Sequence, residues 1–345
     1  MVTSSPDFSM NRCLTGFFAL LMPAALAIPA ASAEEVRVYS GRHYNTDRQV
    51  FKAFSDQTGI KVRLLESKGA SLVERLRREG SNSKADVILL VDAARINNAA
   101  KAGLFAPINS AALKRDVPAR YRDPSGRWFG VSRRLRVMVV NSKIVPMSKL
   151  KTYADLSKPF LKNKVCLRNR QNVYNQSLVA DQIALRGVDA TKAWLKGMIS
   201  NVSQPYFPGD ISLVRAVAQG QCGIGIVNHY YVSRMLAGVN GNKDQKLANS
   251  VRIFIPDPAH VNISAAAVAK YSKNKNNAIR LVEFLASPKG SALLALPTFE
   301  HPVSVNNTSG YVTRFGAFTP DSVTISQLSQ YQPMAIRLMA EAGWK

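Results

Sequence analysis

Short runs rich in valine and isoleucine alternate along this chain with segments of helical period, an alternation that limits it to an α/β fold with mostly parallel sheets. Residues 36–40 read as a strand, and a helix follows from about Thr46 with Val50, Phe51 and Phe54 on one face, stopping near Gly59. Residues 60–66 form the next strand. Ser71 and Glu74 stand at the spacing of a capping box, which predicts a second helix closing at Gly80. Residues 85–91 are continuously apolar, as a strand buried on both faces must be, and a third helix runs on to Gly103.

The rhythm breaks after a turn-rich stretch holding Pro107, Pro118, Pro124 and Gly126, where residues 133–141 form one long strand suited to a hinge. A second α/β set follows. It has strands at 164–168 and 223–227 and helices from about Asn175, from about Asp189, over 210–219 and from about His229. Residues 251–255 and 261–269 are further strands, the second placed to return the chain to the first set, and helical segments at 276–286 and 326–342 finish it. The expected organisation is two lobes, 34–135 plus about 261–305 and 136–260 plus about 306–345. Two α/β lobes joined by crossing strands form a clamshell that closes by hinge motion.

The first 33 residues read as a secretory leader: an apolar run at 14–28, then Ala31-Ser32-Ala33 just before Glu34. The run is short for a membrane span, which takes about 20 apolar residues, and Pro23 and Pro29 break it. The expected mature chain is therefore exported and soluble, and too long for a single core to keep growing. It keeps Cys166 and Cys222, a pair in a compartment that permits disulfides; bridged and free forms both stay open at this point. The formal net charge is +24. An exported chain with its lysines and arginines dispersed, and with no aromatic RNA-binding signature, is not a nucleic-acid binder, so most of this charge reads as solvated surface.

In open α/β sheets a ligand crevice lies beyond the carboxyl ends of the strands. Three such junctions carry tyrosine: Tyr44 in Gly41-Arg42-His43-Tyr44-Asn45, Tyr174 in Asn172-Val173-Tyr174-Asn175, and the adjacent pair Tyr230 and Tyr231 after Asn228-His229. A phenol ionises near pH 10, but a small, highly charged cation such as Fe(III) can displace its proton and suits hard oxygen anions. Helix N-termini at the same junctions favour phenolates or a bound anion such as carbonate. Adjacent residues in a first helical turn diverge by about 100°, so packing both Tyr230 and Tyr231 into one core is awkward, whereas aiming both into a cleft is feasible. His43 stands open as a fifth ligand or as a hydrogen-bonding neighbour. His229, His260 and His301 carry no metal-site spacing.

With Tyr39-Ser40-Gly41-Arg42-His43-Tyr44-Asn45-Thr46-Asp47, Val91-Asp92-Ala93-Ala94-Arg95, Val173-Tyr174-Asn175-Gln176-Ser177 and Val227-Asn228-His229-Tyr230-Tyr231, the chain resembles the periplasmic ferric-iron-binding proteins of ABC transporters, especially their tyrosine-rich cyanobacterial branch. The likeness covers nearly all of the chain after the leader. It implies a type 2 periplasmic-binding-protein fold with the ligand cleft between the lobes. It also implies Tyr44, Tyr174, Tyr230 and Tyr231 as iron ligands, with His43 as a candidate fifth, and Arg134 as a cation just behind them. By the same resemblance the protein is a periplasmic monomer that docks transiently on an ABC permease and its ATPase subunit. The branch using a histidine and a glutamate in the first lobe is matched less well, and the strong basicity departs from the family.

A binding protein of the same architecture for a small organic or inorganic anion is the competing reading, using the basic residues and leaving the tyrosines to stack. A polyamine ligand is disfavoured, since the junctions lack the carboxylates such a cation needs. Ser148-Lys149-Leu150-Lys151 matches an S-x-x-K pattern without its companion motifs, and neither G-x-S-x-G nor a Walker loop is present, so an enzyme is not expected.

Overall fold

A computed structural model describes residues 1–6, 34–42, 44–304 and 310–345. Most of the expected leader, and His43, lie outside the described residues. From Glu35 the chain alternates β1 (Glu35–Ser40), α1 (Asp47–Thr58), β2 (Lys61–Glu66), α2 (Gly69–Glu79), β3 (Val87–Val91) and α3 (Ala93–Lys101). β1 lies between β2 and β3, parallel to both. Val87, Ile88 and Leu89 are fully buried, the reason β3 is apolar rather than alternating, whereas β1 buries Val36 and Val38 between the half-buried Glu35 and Arg37.

The short β4 (Phe105–Ala106) and α4 (Ala111–Asp116) lead into β5 (Phe129–Val140), the longest strand, which begins four residues earlier than the sequence suggests. Beyond it come β6 (Val165–Cys166), α5 (Val173–Arg186), α6 (Val188–Ser200), α7 (Asp210–Ala218), β7 (Ile224–Asn228), α8 (His229–Leu236), α9 (Asn242–Ser250) and β8 (Arg252–Phe254). The chain closes with β9 (Val261–Ala269), α10 (Lys275–Ala286), α11 (Pro288–Ala295), β10 (His301–Pro302) and α12 (Ile325–Glu341). No helix among the described residues is long and apolar enough to cross a membrane.

The sheet runs in the order β2-β1-β3-β9-β5-β7-β6. β5 belongs to both halves of it: residues 129–135 pair antiparallel with β9, and residues 136–140 pair antiparallel with β7. β9 in turn lies between β5 and β3. These are the two strands the sequence marks as crossings. Side chains of β5 alternate between faces, so Val137 and Val139 join one hydrophobic cluster while Met138 and Val140 join another with Leu156, Leu178, Trp194 and Met339. Helix α12 packs against both α3 and α5, bonding Ser329 Oγ to Asn98 Oδ1 at 2.8 Å and Gln332 Nε2 to Gln176 Oε1 at 3.3 Å.

Two local expectations are corrected. α2 begins at Gly69 rather than Ser71, and no side chain caps it. Gly69 lies against the Arg95 side chain, and a Cβ there would come within 2.9 Å of Arg95 Nη1, so the arginine would have to shift. The strand expected at 164–168 shrinks to Val165–Cys166, since its neighbours meet the chain at 202–207 only through isolated bridges.

Cys166 and Cys222 form a disulfide with their Cα atoms 6.0 Å apart, which resolves the alternative left by the sequence. They are 56 residues apart in the chain, and closing such a loop restrains the unfolded chain by about 4 kcal/mol in the entropy model. Replacing both with serine is expected to lower unfolding free energy by about 2–4 kcal/mol. Urea titrations of the variant and the oxidised wild type check this; coincident curves would show that the bridge does not restrain the unfolded state.

Candidate metal centre

Each tyrosine singled out by sequence sits where a strand hands over to a helix. Tyr44 follows the end of β1 and precedes α1. Gly41 N bonds Leu89 O at 2.7 Å, which fixes the turn behind it. Tyr174 is the second residue of α5, and Asn172 caps that helix by accepting bonds from the amides of Tyr174 and Asn175. Tyr230 and Tyr231 lie in the first turn of α8, with Asn228 at its N-cap.

The fold brings all four together. Tyr44, Tyr174 and Tyr231 line one cleft of about 450 Å³. Tyr230 is buried, and its hydroxyl lies 3.5 Å from the Tyr174 hydroxyl and accepts a bond from Asn228 Nδ2 at 3.2 Å. The rings of Tyr230 and Tyr231 pack in a tilted arrangement, 4.4 Å between centroids and 37° apart in plane. The expectation that adjacent tyrosines would diverge into a cleft holds in part: one is fully enclosed and the other, half-buried, lines the cleft.

Burial, reinforced by the neighbouring phenols, lifts Tyr230 far above the ordinary phenol range and Tyr231 to about 12; burial and Glu300 raise Tyr44 as well. These hydroxyls are therefore neutral in the free protein near neutral pH. Around them stand cations. Arg42, Lys68, Arg95 and Arg168 line the same cleft, and the Arg42 guanidinium lies 4.9 Å from the Tyr44 ring centroid. The cleft thus combines weakly acidic phenols, each able to become an anionic oxygen ligand once a metal replaces its proton, with positive charge that offsets the anions formed.

Two arginines of β5, Arg134 and Arg136, share a strand face and differ in what they meet. Arg134 stands 5.3 Å from the Tyr174 ring centroid, is fully buried, donates to Ser264 Oγ at 3.2 Å and to the Ile263 carbonyl at 3.0 Å, and pairs with a carboxylate, Glu300, only at 3.8 Å. Burial opposes its charge, but Tyr174, Glu300 and Tyr230 outweigh that and raise its pKa. Arg136 is instead committed to structure: it bonds Asp210 at 3.0 Å, Asn228 Oδ1 at 3.1 Å and Asn175 Oδ1 at 2.6 Å.

Sequence reasoning missed two buried carboxylates that organise this region. Asp210, opening α7, accepts bonds from Arg136, Arg168 and the Asn228 amide, and so positions the mouths of α5 and α8. Glu300 accepts a 2.7 Å bond from Arg42, which also bonds Asp47 at 2.9 Å. Burial opposes ionisation of Glu300, but Arg42 and Arg134 hold its carboxyl below the usual range. A signal for Arg42 was present in the motif running to Asp47; nothing local could have found Glu300, 258 residues away.

Residues 40–292 match the family model described as bacterial extracellular solute-binding protein, and the chain belongs to that family: it is a solute-binding protein of the type 2 periplasmic architecture, not an enzyme. Among individual proteins, it is 38% identical to iron uptake protein A1 of Synechocystis sp., covering 93% of this chain and 91% of that one. It is 31% identical to the Fe(3+)-binding periplasmic protein of Serratia marcescens, covering 93% and 94%. The solved structure of the Trichodesmium protein IdiA (FutA), in complex with iron and citrate, superposes with a TM-score of 0.86 at 39% identity, covering 90% of this chain and all of that one.

Proposed function

We propose that this protein captures ferric iron in the tyrosine-lined cleft and delivers it to an ABC importer. The observation that carries the reading is the convergence of Tyr44, Tyr174, Tyr230 and Tyr231, drawn from three separate strand-to-helix junctions, on one cleft ringed by guanidinium groups. Phenolate oxygens are hard anionic donors and match a hard trivalent cation better than they match zinc or copper. The relatives described above, named for iron uptake or Fe(3+) binding, point the same way.

The cleft also holds more positive charge than four phenolates on one trivalent ion require, which supports an anion completing the coordination shell. Arg42 and Arg168 are already paired with Asp47, Glu300 and Asp210, so Lys68 and Arg95, with the amide groups opening α5, are the groups that suit a carbonate or a small carboxylate such as the citrate present with iron in the Trichodesmium complex. This accommodates the competing anion-binder reading as part of the same site rather than as a separate function. We assign residues 34–135 plus about 261–305 to one lobe and 136–260 plus about 306–345 to the other, so that Tyr44 faces the remaining three tyrosines across the cleft and iron favours the closed form. The leader ends at Ala33, the mature protein works as a periplasmic monomer, and its partners are a membrane permease and that permease's ATPase subunit.

The test is metal analysis with a visible spectrum. Protein loaded from ferric citrate is expected to hold one iron per chain and to show the red to purple charge-transfer band of Fe(III)-phenolate. Colourless protein that binds citrate equally well without iron would overturn the proposal in favour of an anion carrier.

A prediction follows for charge balance. Four phenolates around Fe(III) leave surplus negative charge in a closed cleft, and Arg134 is the buried cation placed behind Tyr174 to offset it. Arg134→Gln is expected to weaken iron binding and shift acid-driven iron release upward by about one pH unit, the scale on which a nearby cation moves an ionisable group. Arg136→Gln is expected to cost stability instead. Release curves read by the charge-transfer band check this, and a shift caused by Arg136→Gln alone would reassign the role.

A further inference from the structure

Away from the cleft, three side chains converge with their facing atoms unsatisfied. His260 precedes β9, Asp181 lies in the middle of α5, and Asp321 lies in the segment leading to α12; they are 1%, 0% and 3% exposed. His260 Nδ1 stands 3.3 Å from Asp181 Oδ1 and 3.8 Å from Asp321 Oδ2, and all three atoms fall within 4.8 Å of one another. None of the three has a hydrogen-bond partner. Their opposite ends are all held: Gln182 Nε2 donates to Asp181 Oδ2 at 2.9 Å, the Val323 amide donates to Asp321 Oδ1 at 2.8 Å, and His260 Nε2 meets Ser177 Oγ at 3.1 Å.

We propose that Asp181, His260 and Asp321 form a second, structural cation site that takes a divalent ion of the zinc class. Bonds of about 2.0–2.1 Å to a tetrahedral ion separate its ligands by about 3.3 Å, close to the spacings between the ring nitrogen and the two carboxylates. One imidazole and two carboxylates form a donor set that such an ion accepts, with water in the fourth position. Two carboxylates and a neutral ring also offset the charge of a divalent ion in a buried place. Arg186 acts on Asp181 through its longer-range field. Anchoring the far side of each ligand, the imidazole through its other nitrogen and the carboxylates through their second oxygens, is how metal ligands are oriented by their surroundings. Demand for positive charge at Nδ1 shows in the ring itself: burial opposes protonation, but Asp181 and Asp321 outweigh it and lift His260 to about 9.

The position gives the ion a task. It joins α5, the start of the crossing strand β9 and the segment leading to α12. Asn262 extends the connection by donating to both Ser177 Oγ and Asp92 Oδ2, the latter at the N-cap of α3. An ion here pins the crossing strand to helices on both sides of it and leaves the cleft free for cargo.

The test uses purified protein stripped by chelator and then titrated with Zn2+ or Co2+. One equivalent is expected to bind and to raise the unfolding temperature by about 5 °C at a hundredfold excess over Kd. Co2+ should give the visible ligand-field bands of a four-coordinate site, retained in Tyr231→Phe and lost in Asp321→Asn and His260→Gln. Anomalous scattering at the zinc edge locates the ion without any variant, with a peak expected between His260 Nδ1 and the two carboxylates. Absence of bound metal and of any thermal shift in the wild type, or a peak elsewhere, would overturn the proposal and leave an imidazolium bridging two carboxylates.

Discussion

Tyr230→Phe is expected to weaken Fe(III) binding by more than about 100-fold, since even groups that merely support a metal ligand are worth 10–100-fold, while unfolding of the iron-free protein changes by about 1 kcal/mol or less. The ring stays in place and keeps its contact with Tyr231 at 4.4 Å. What disappears is one anionic oxygen and a neutral hydrogen bond from Asn228. Tyr231→Phe should behave alike. A proton count sharpens the test. Burial keeps the Tyr230 hydroxyl neutral in the free protein, and that of Tyr231 with a pKa of about 12, so each phenolate formed on iron releases a proton and affinity falls as pH falls. Titration from a weak chelate of known proton balance should show one proton fewer released per iron in either variant than in wild type. Wild-type affinity and proton release in both variants would remove the tyrosine centre.

Arg42→Ala is expected to cost about 3–5 kcal/mol of stability, the range for breaking a buried ion pair from one side. Its side chain is wholly enclosed and forks to Asp47 and Glu300, and one of its terminal nitrogens also bonds Ser132 at 3.2 Å and Ser264 at 3.0 Å. It therefore ties α1, β5, β9 and the segment after α11 together directly behind Tyr44. Truncation leaves two carboxylates buried without their main partner. Glu300 also fixes the pH dependence. Its depressed carboxyl stabilises the wild type above the ordinary glutamate value of 4.5, and that contribution is lost as pH falls through the lower folded value. The variant lacks most of it, so the gap between variant and wild type should narrow as pH is lowered. Arg42→Lys should recover only part of the loss, because an ammonium cannot make the forked pairing. Denaturant titrations near neutral pH and at a pH well below 4.5 measure both effects; equal stabilities at neutral pH would show that the network is not held by Arg42.

The reading of crossing strands illustrates where local pattern suffices. Residues 261–269 were legible as β9 to the residue, because a run buried on both faces is mostly apolar, interrupted here only by Asn262 and Ser264, whose polar groups are hydrogen-bonded. β5 was placed but shortened, since Phe129, Gly130, Val131 and Ser132 look like the end of a turn-rich stretch until β9 and β10 supply their ladder partners. The capping box at Ser71 and Glu74 failed: α2 starts two residues earlier, at Gly69, with Lys68 at its N-cap and no side-chain cap, which places Ser71 inside the first turn.

The sequence by itself determined the α/β class, the order of most elements and the four tyrosines, because periodicity and position at a strand-to-helix junction are properties of neighbouring residues. Only the tertiary structure decided which charges serve those tyrosines. Arg134 and Arg136 are two residues apart on one strand face, yet one stands against Tyr174 and the other is consumed by Asp210. His260, indistinct as a sequence feature, gains its meaning from Asp181 and Asp321, which lie 79 residues before it and 61 after it in the chain and join it only through α5 and the segment before α12. Coulombic interaction depends on separation in space and on the water excluded from between the charges, and neither is recorded in the order of residues along a chain.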